Sequence, residues 1–275
     1  MTLTLEQPAT WKPGIYRDLP AATYHAIDAA SNSRLTLLKR SPAHMKAAID
    51  CPEESTPAQI VGEACHLCIL EPERFVSRYA VAPECDRRTK EGKATWQAFL
   101  DSCNGKSPLS AADYEKCERM HDAVWSNPAA RELLEFCRKE FEVSAIWTDE
   151  ATGVLCKARA DGLCSSRTII DLKTTTDASE EAFERSIFNY GYYRQGAHYL
   201  DGFKREHFAF IAVEKDPPYA NAVYQLESEV IDKGRAELER LLAIYAECER
   251  TGIYPGYESG VRYIGVPVWA ATRIG

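Results

Sequence analysis

The chain has 275 residues, 45% of them hydrophobic and 27% charged, with a formal net charge of −8, a balance that suits an ordered globular protein with a large core. The negative total excludes a protein that coats nucleic acid over its whole surface, while leaving room for a local basic track. No apolar run reaches the length of a membrane span, and the start, MTLTLEQPATWKPG, lacks a cationic stretch followed by an apolar one, so a cytoplasmic protein that does not engage membrane is expected.

One domain over 1–275 is expected, with a mainly helical part to 137, a sheet-centred part over 138–228, and a C-terminal helix and tail over 229–275. An irregular N-terminus leads to SNS, residues 31–33, three good N-cap residues that introduce short helices from about Ser33 to Asp50. Free N–H groups at such a helix start favour an anion, which makes Ser33 and Arg34 candidates for a phosphate contact; an ordinary capped helix is the alternative. A helix from about Pro57 to Leu70 follows, then a strand around Phe75 to Ala82. In GEACH, Gly62 and His66 stand four apart on one helix face; the glycine would let the backbone approach the sheet, and the histidine either reaches a functional site or is satisfied in a helix interface. CDRRTKEGK places Arg87, Arg88, Lys90 and Lys93 within seven residues, as a basic track or a solvated loop. Helical segments between Lys90 and Cys137 break at NGKSP and NP.

Ten cysteines are scattered without a secretory signal, so reduced and mostly buried thiols are expected. Cys65, His66 and Cys68 crowd one turn and a half of a helix with no second ligand pair, which argues against zinc. With only Cys248 beyond Cys164, an iron–sulfur cluster held by a C-terminal cysteine group is excluded.

The stretch ARADGLCSSRTIIDLKTTT, 158–176, is the most informative. VLCKARAD and RTIIDLK suit strands and GLCSS suits a turn, giving an antiparallel hairpin centred near Ser166. Asp161 and Asp171 stand five residues either side of that centre and should face each other, an arrangement that destabilises the pair unless something positive intervenes. Alternation puts Lys173 on the face of Asp171, and Lys157, Arg159 and Asp161 on the same face of the partner strand. FEVSAIW forms a third strand through the DEATG turn, in a register that sets Glu142 opposite Asp161. Carboxylates converging beside one lysine describe an oxygen-ligand site for a hard cation, Mg²⁺ before Ca²⁺; a salt bridge from Lys173 to one aspartate is the alternative, and it leaves the other aspartate unexplained. Downstream, two helical segments hinge near Gly191, with Gln195 and Tyr199 at i and i+4 in QGAHY. Two strands, a long charged helix from Ser228 to Arg250 and a tail rich in Gly, Tyr and Trp complete an α/β pattern: a mixed central sheet flanked by helices with the hairpin at its heart.

G-x-x-x-H, then E, then D, then D-x-K, then Q-x-x-x-Y, in that order and on those elements, resembles the PD-(D/E)xK nuclease superfamily. The likeness is strongest to its RecE-type (exonuclease VIII-like) phage and prophage exonucleases, related to lambda exonuclease and the RecB nuclease domain. It runs from GIYRDLP to the strand around Val213 and includes SNSRL, SPAHM and TGVLCKARADGL. The resemblance implies a restriction-endonuclease-like core, with His66, Asp161, Asp171 and the Leu172 carbonyl at the metal, Glu142 as an additional acid, Lys173 as the catalytic lysine, and Gln195 and Tyr199 at the scissile or terminal phosphate. Asp at 171 in place of Glu, and no Pro before Asp161, depart from the superfamily's name. It further implies Mg²⁺, with Mn²⁺ able to substitute, and 5′-to-3′ degradation of one strand from duplex DNA ends to leave 3′ single-stranded tails. A closed homo-oligomeric ring, trimer or tetramer, and a single-strand annealing partner belong to the same implication. Arg159 and Arg194 are further candidates for the 5′ phosphate. A structure-specific endonuclease of the same superfamily, or an inactive DNA-binding relative, are the alternatives.

Overall fold

The structure, a computed structural model, describes residues 11–52, 56–137 and 140–266. The readings made on residues 1–10, and on the part of the tail that includes Trp269, lie outside these.

The chain enters through a three-residue strand, β1 (Gly14–Tyr16), and a short helix, α1 (Ala21–Ala26), where the sequence suggests only irregular structure. Helices α2 (Asn32–Arg40) and α3 (Pro42–Asp50) follow. Ser31 and Ser41 cap them through side-chain oxygens that accept from the N–H groups of Arg34 and His44, which satisfies donors a helix start would otherwise leave orphaned. Helix α4 (Pro57–Leu70), where a helix is expected, begins with a capping box of Thr56 and Gln59 and has Pro in its first turn. The strand expected over Phe75 to Ala82 is corrected: α5 (Pro72–Arg78) occupies most of it and only β2 (Tyr79–Val81) is extended. Pro72 pre-forms a helical first turn, and the buried Phe75 anchors the helix before the backbone extends at Tyr79. Helix α6 (Lys90–Ser102), β3 (Ser107–Leu109), α7 (Ala111–Ser126) and α8 (Pro128–Phe136) follow, with β3 paired in parallel to β2.

The main sheet then forms from β4 (Phe141–Thr148), β5 (Leu155–Leu163) and β6 (Thr168–Thr175). After the crossover through α9 (Glu180–Asn189) and α10 (Tyr192–Phe203) come β7 (His207–Glu214) and β8 (Asn221–Gln225), and α11 (Ser228–Thr251) closes the fold. The six strands stand in the order β1-β4-β5-β6-β7-β8. The β6–β7 pair is parallel and the others antiparallel, which makes the sheet mixed, as expected. Two large clusters of apolar side chains build the interior. One joins residues of α2, α9, α10 and α11 to the sheet, including Ala158, Ala160 and Phe210. The other joins α4, α5, α7 and α8 to Ile170, Leu172 and Ile211.

Register sets up the site. Phe141 pairs with Gly162 and Val143 with Ala160, so Glu142 stands opposite Asp161. Gly162 pairs with Ile170 and Leu163 with Ile169, and one more step would set Asp161 against Asp171. The ladder stops there, and β5 and β6 part. At the last pair a side chain is sterically excluded, because a Cβ on Gly162 would lie 2.7 Å from Ile170 and 2.9 Å from Cys137 Sγ.

Candidate active site

The gap between β5 and β6 gathers most of the expected residues. Asp171 is 2% exposed. Its Oδ1 accepts a short hydrogen bond from Gln195 Nε2 on α10, and Lys173 Nζ lies 2.5 Å from its Oδ2. Across the gap, Asp161 Oδ2 accepts from the Leu172 N–H at 2.7 Å. That backbone donor, unused by a ladder that has ended, is what holds the second aspartate. Since N–H and C=O of one strand residue point to the same edge, the Leu172 carbonyl opens into the same gap. From α4, His66 Nδ1 comes within 3.6 Å of Asp161 Oδ2, beyond hydrogen-bond length.

Charge in this gap is unevenly compensated. Burial, then the neighbouring carboxylates of Asp171 and Glu142, push the Asp161 carboxyl well above the usual range. Burial works against the charge on Lys173, but Asp171 and Asp161 outweigh it and hold the ammonium above the ordinary lysine value. His66 keeps 30% of its side chain exposed, yet the protein packed round it removes enough water to lower its pKa to about 4. The ring is therefore neutral at pH 7 and has a nitrogen lone pair to offer.

Among the described residues, no three His, Cys, Asp or Glu side chains converge closely enough to enclose a cation as they stand. The reason is visible in the bonds: Gln195, Lys173 and the Leu172 N–H each draw on a carboxylate oxygen. The donor set nonetheless fits a hard divalent ion. Asp171, Asp161 and the Leu172 carbonyl offer oxygen, and among the described residues the one partner of the buried Asp171 Oδ2 is the Lys173 ammonium beside it.

Other expected residues lie elsewhere. Glu142 holds its place in the register with a positive φ of 53°, and its Oε2 lies 2.8 Å from Arg159 Nε. Arg159 is thereby committed to the interior, where it also donates to the Leu19 carbonyl at 3.1 Å and lies over the Tyr24 ring. Lys157, expected on the face of Asp171, is buried under the carbonyls of Tyr24, His25 and Ile27. Both side chains fasten the segment 19–27 to β5, because the strands part before their faces can be shared. Arg194 is corrected as a phosphate contact. It is 1% exposed, with Nε, Nη1 and Nη2 donating to Asn32, Glu237 and Thr36. Arg34 Nη1 pairs with Asp28 and donates to Tyr245, and the exposed Ser33 has its Oγ 2.9 Å from Ser31 Oγ, so each candidate already has a protein partner. Arg87 lies 4.4 Å over the Trp96 ring, Arg88 pairs with Asp86, and Lys90 opens α6; all three are exposed. Gly62 does not serve close approach to the sheet, because a Cβ there would meet nothing within 4 Å.

Sequence reading missed two site residues. Tyr192 sits three residues before Gln195 and seven before Tyr199, which puts all three on one stripe of α10. Its ring centroid is 4.7 Å from Lys173 Nζ, a cation–π contact that seats the ammonium. Tyr199 packs edge-on against Phe208, and burial raises its hydroxyl pKa well above the ordinary value. Tyr24 is 7% exposed and lies near both Arg159 and Glu142. The 192–195–199 spacing could have flagged Tyr192; nothing local flags Tyr24.

Comparison with known proteins bears on this arrangement. Residues 31–264 match a family described as a PDDEXK-like domain of unknown function. The chain belongs to this family. The match spans α2 to the tail and so contains the whole gap between β5 and β6. Among solved structures, a candidate exonuclease from Eubacterium rectale shares the fold with a TM-score of 0.59 at 13% identity, covering 93% of this chain and 98% of that one. A phage-related exonuclease from Haemophilus somnus gives 0.32 at 13% identity, over 69% of this chain and 95% of that one. An alkaline exonuclease from Laribacter hongkongensis gives 0.27 at 18% identity, over 57% and 81%. No protein with curated annotation matches the sequence. Among the described residues, no helix is long and apolar enough to cross a membrane.

Proposed function

We propose that the chain is a Mg²⁺-dependent exonuclease that degrades one strand of duplex DNA from its 5′ end and leaves a 3′ single-stranded tail. One observation carries this reading: in a chain of the PDDEXK-like family, Asp161, Asp171, Lys173 and Gln195 meet where the central strands β5 and β6 part.

Asp161, Asp171, the Leu172 carbonyl and His66 would hold the metal, with Mn²⁺ able to replace Mg²⁺. When bound, the ion supplies Lewis-acid polarisation of a phosphate oxygen and lowers the pKa of a water. The protein's own groups do the positioning. Gln195 fixes the Asp171 carboxylate, the Leu172 N–H fixes Asp161, and Lys173, seated under Tyr192, offers a cation to charge developing on phosphorus. Glu142, held by Arg159, adds negative charge behind Asp161, and Tyr199 closes the α10 side. Arg87, Arg88 and Lys90 are the exposed cations left to follow a DNA backbone. The net charge of −8 suits a homo-oligomeric ring of three or four copies with its basic residues turned inward, working in the cytoplasm with a single-strand annealing protein.

The test is digestion of linear duplex labelled at either end, with and without Mg²⁺, beside closed circular DNA. Loss of 5′ label first, only with metal and only on linear DNA, is the expected result. Cutting of closed circles would instead favour an endonuclease.

A further inference from the structure

The aromatic contact on Lys173 does not end at Tyr192. The Tyr192 ring meets Tyr190 at 5.6 Å, and Tyr190 is 63% exposed. Tyr190 caps the end of α9, and Gly191 follows with a φ of +72°. The turn thus sends one tyrosine of the pair outward and the other in over the lysine. Phe188, two residues earlier, is 39% exposed. A lone exposed aromatic is ordinary on a protein surface. Here an exposed ring is continuous, through one half-buried neighbour, with the Lys173 ammonium. On the inner side the same rings are fixed by core contacts: Tyr192 lies 5.5 Å from Phe210 and 6.2 Å from Phe183. The outer ring therefore stands on a rigid support.

We infer that Tyr190 is a stacking platform for an unpaired nucleobase next to the phosphate being cut. The inference rests on the nuclease reading and adds a nucleobase site to it. An exonuclease that removes nucleotides from a duplex end must hold a strand whose terminal base has lost its partner. A flat π-face presented beside the catalytic lysine supplies that hold without regard to sequence. The ligand class is a single-stranded nucleobase, and the recognition is by face rather than by hydrogen bonding.

The test measures binding without turnover, in EDTA, using a fluorescent single-stranded oligonucleotide and the same oligonucleotide with abasic sites. Wild type should favour the base-bearing strand by between about fivefold and a hundredfold. Tyr190→Ala and Tyr190→Leu should bring that preference close to one, and Tyr190→Phe should keep it. In Tyr190→Trp, the added indole emission should be quenched by the base-bearing strand and not by the abasic one. A wild type without the preference, or a preference that survives in Tyr190→Ala, overturns the platform whatever the protein does to duplex DNA. Failure of the nuclease reading would show separately, as label retained at both ends of linear duplex in Mg²⁺.

Discussion

Two buried charged clusters, one on each side of α10, differ in how completely they are balanced. Toward α2 and α11, Arg194 has a partner for each of its three nitrogens, and Glu237 is shared by Arg194, Lys39 and Tyr193. Toward the gap between β5 and β6, two buried aspartates share one ammonium, and the Asp161 carboxyl is held well above the usual range by burial and by Asp171 and Glu142. Closed networks stabilise a unique packing, whereas crowded like charges with one counter-charge cost stability that a bound cation would offset. The difference separates scaffold from site without reference to any relative.

The sharpest way to break the comparison is to neutralise the unbalanced side. Asp171→Asn keeps an acceptor for Gln195 and removes the charge. Nuclease activity is expected to fall by about a thousandfold or more, with a melting temperature within a few degrees of wild type. An Asp171→Asn protein that cuts at near wild-type rate would sink the assignment. On the balanced side the outcome should invert. Arg194→Met removes one of the three partners of Glu237 and leaves the Asn32 and Thr36 oxygens without their donor; it should cost roughly 1–3 kcal/mol of folding stability by urea titration, while the activity of each molecule still folded stays near normal.

How far the sequence disclosed this contrast depends on range. The hairpin was legible because VLCKARAD and RTIIDLK alternate around a turn, and the Asp161–Asp171 register follows from counting outward from Ser166. Helix α4 was legible from Thr56, Pro57 and Gln59. The strand read at Phe75 was an error of weighting: aromatic and β-branched residues suggested extension, but Pro72 opens a helix that runs to Arg78, and only Tyr79 to Val81 extend. Arg194 was unreadable as scaffold because its partners Asn32, Thr36 and Glu237 lie far away in the chain. A guanidinium that is one bond short of burial looks, in sequence, like one that is free. The same holds for Arg34, whose pairing with Tyr245 spans the chain.

A smaller effect sharpens the balanced side through pH. Burial opposes ionisation of Glu237, but hydrogen bonds from Lys39, Tyr193 and Arg194 overcome it and hold its pKa at about 2. A carboxyl depressed in the folded state contributes stability that is present above its unfolded value of about 4.3 and is lost as pH falls through the folded value. Stability should therefore fall between pH 4.3 and 2, with this residue's share on the order of 1 kcal/mol after solvent screening. Urea midpoints at pH 6 and pH 3 should differ less in Glu237→Gln than in wild type; an unchanged difference would remove Glu237 from the network.

The smallest expected effect lies on α4, at the edge of the unbalanced side. Gly62 shares a helix face with His66, and a Cβ placed there meets open space. Interior helical glycine costs roughly 0.5–1 kcal/mol relative to alanine, and no close contact offsets that cost here. Gly62→Ala should accordingly raise stability by about that amount, read as a higher urea midpoint at unchanged slope. If the space over Gly62 is where a DNA backbone passes on its way to His66, the same variant should bind duplex more weakly despite its added stability. A stability gain with unchanged DNA affinity would confine the substrate path to the α10 side of the gap. A stability loss would mean that α4 packs more tightly at Gly62 than the open space implies.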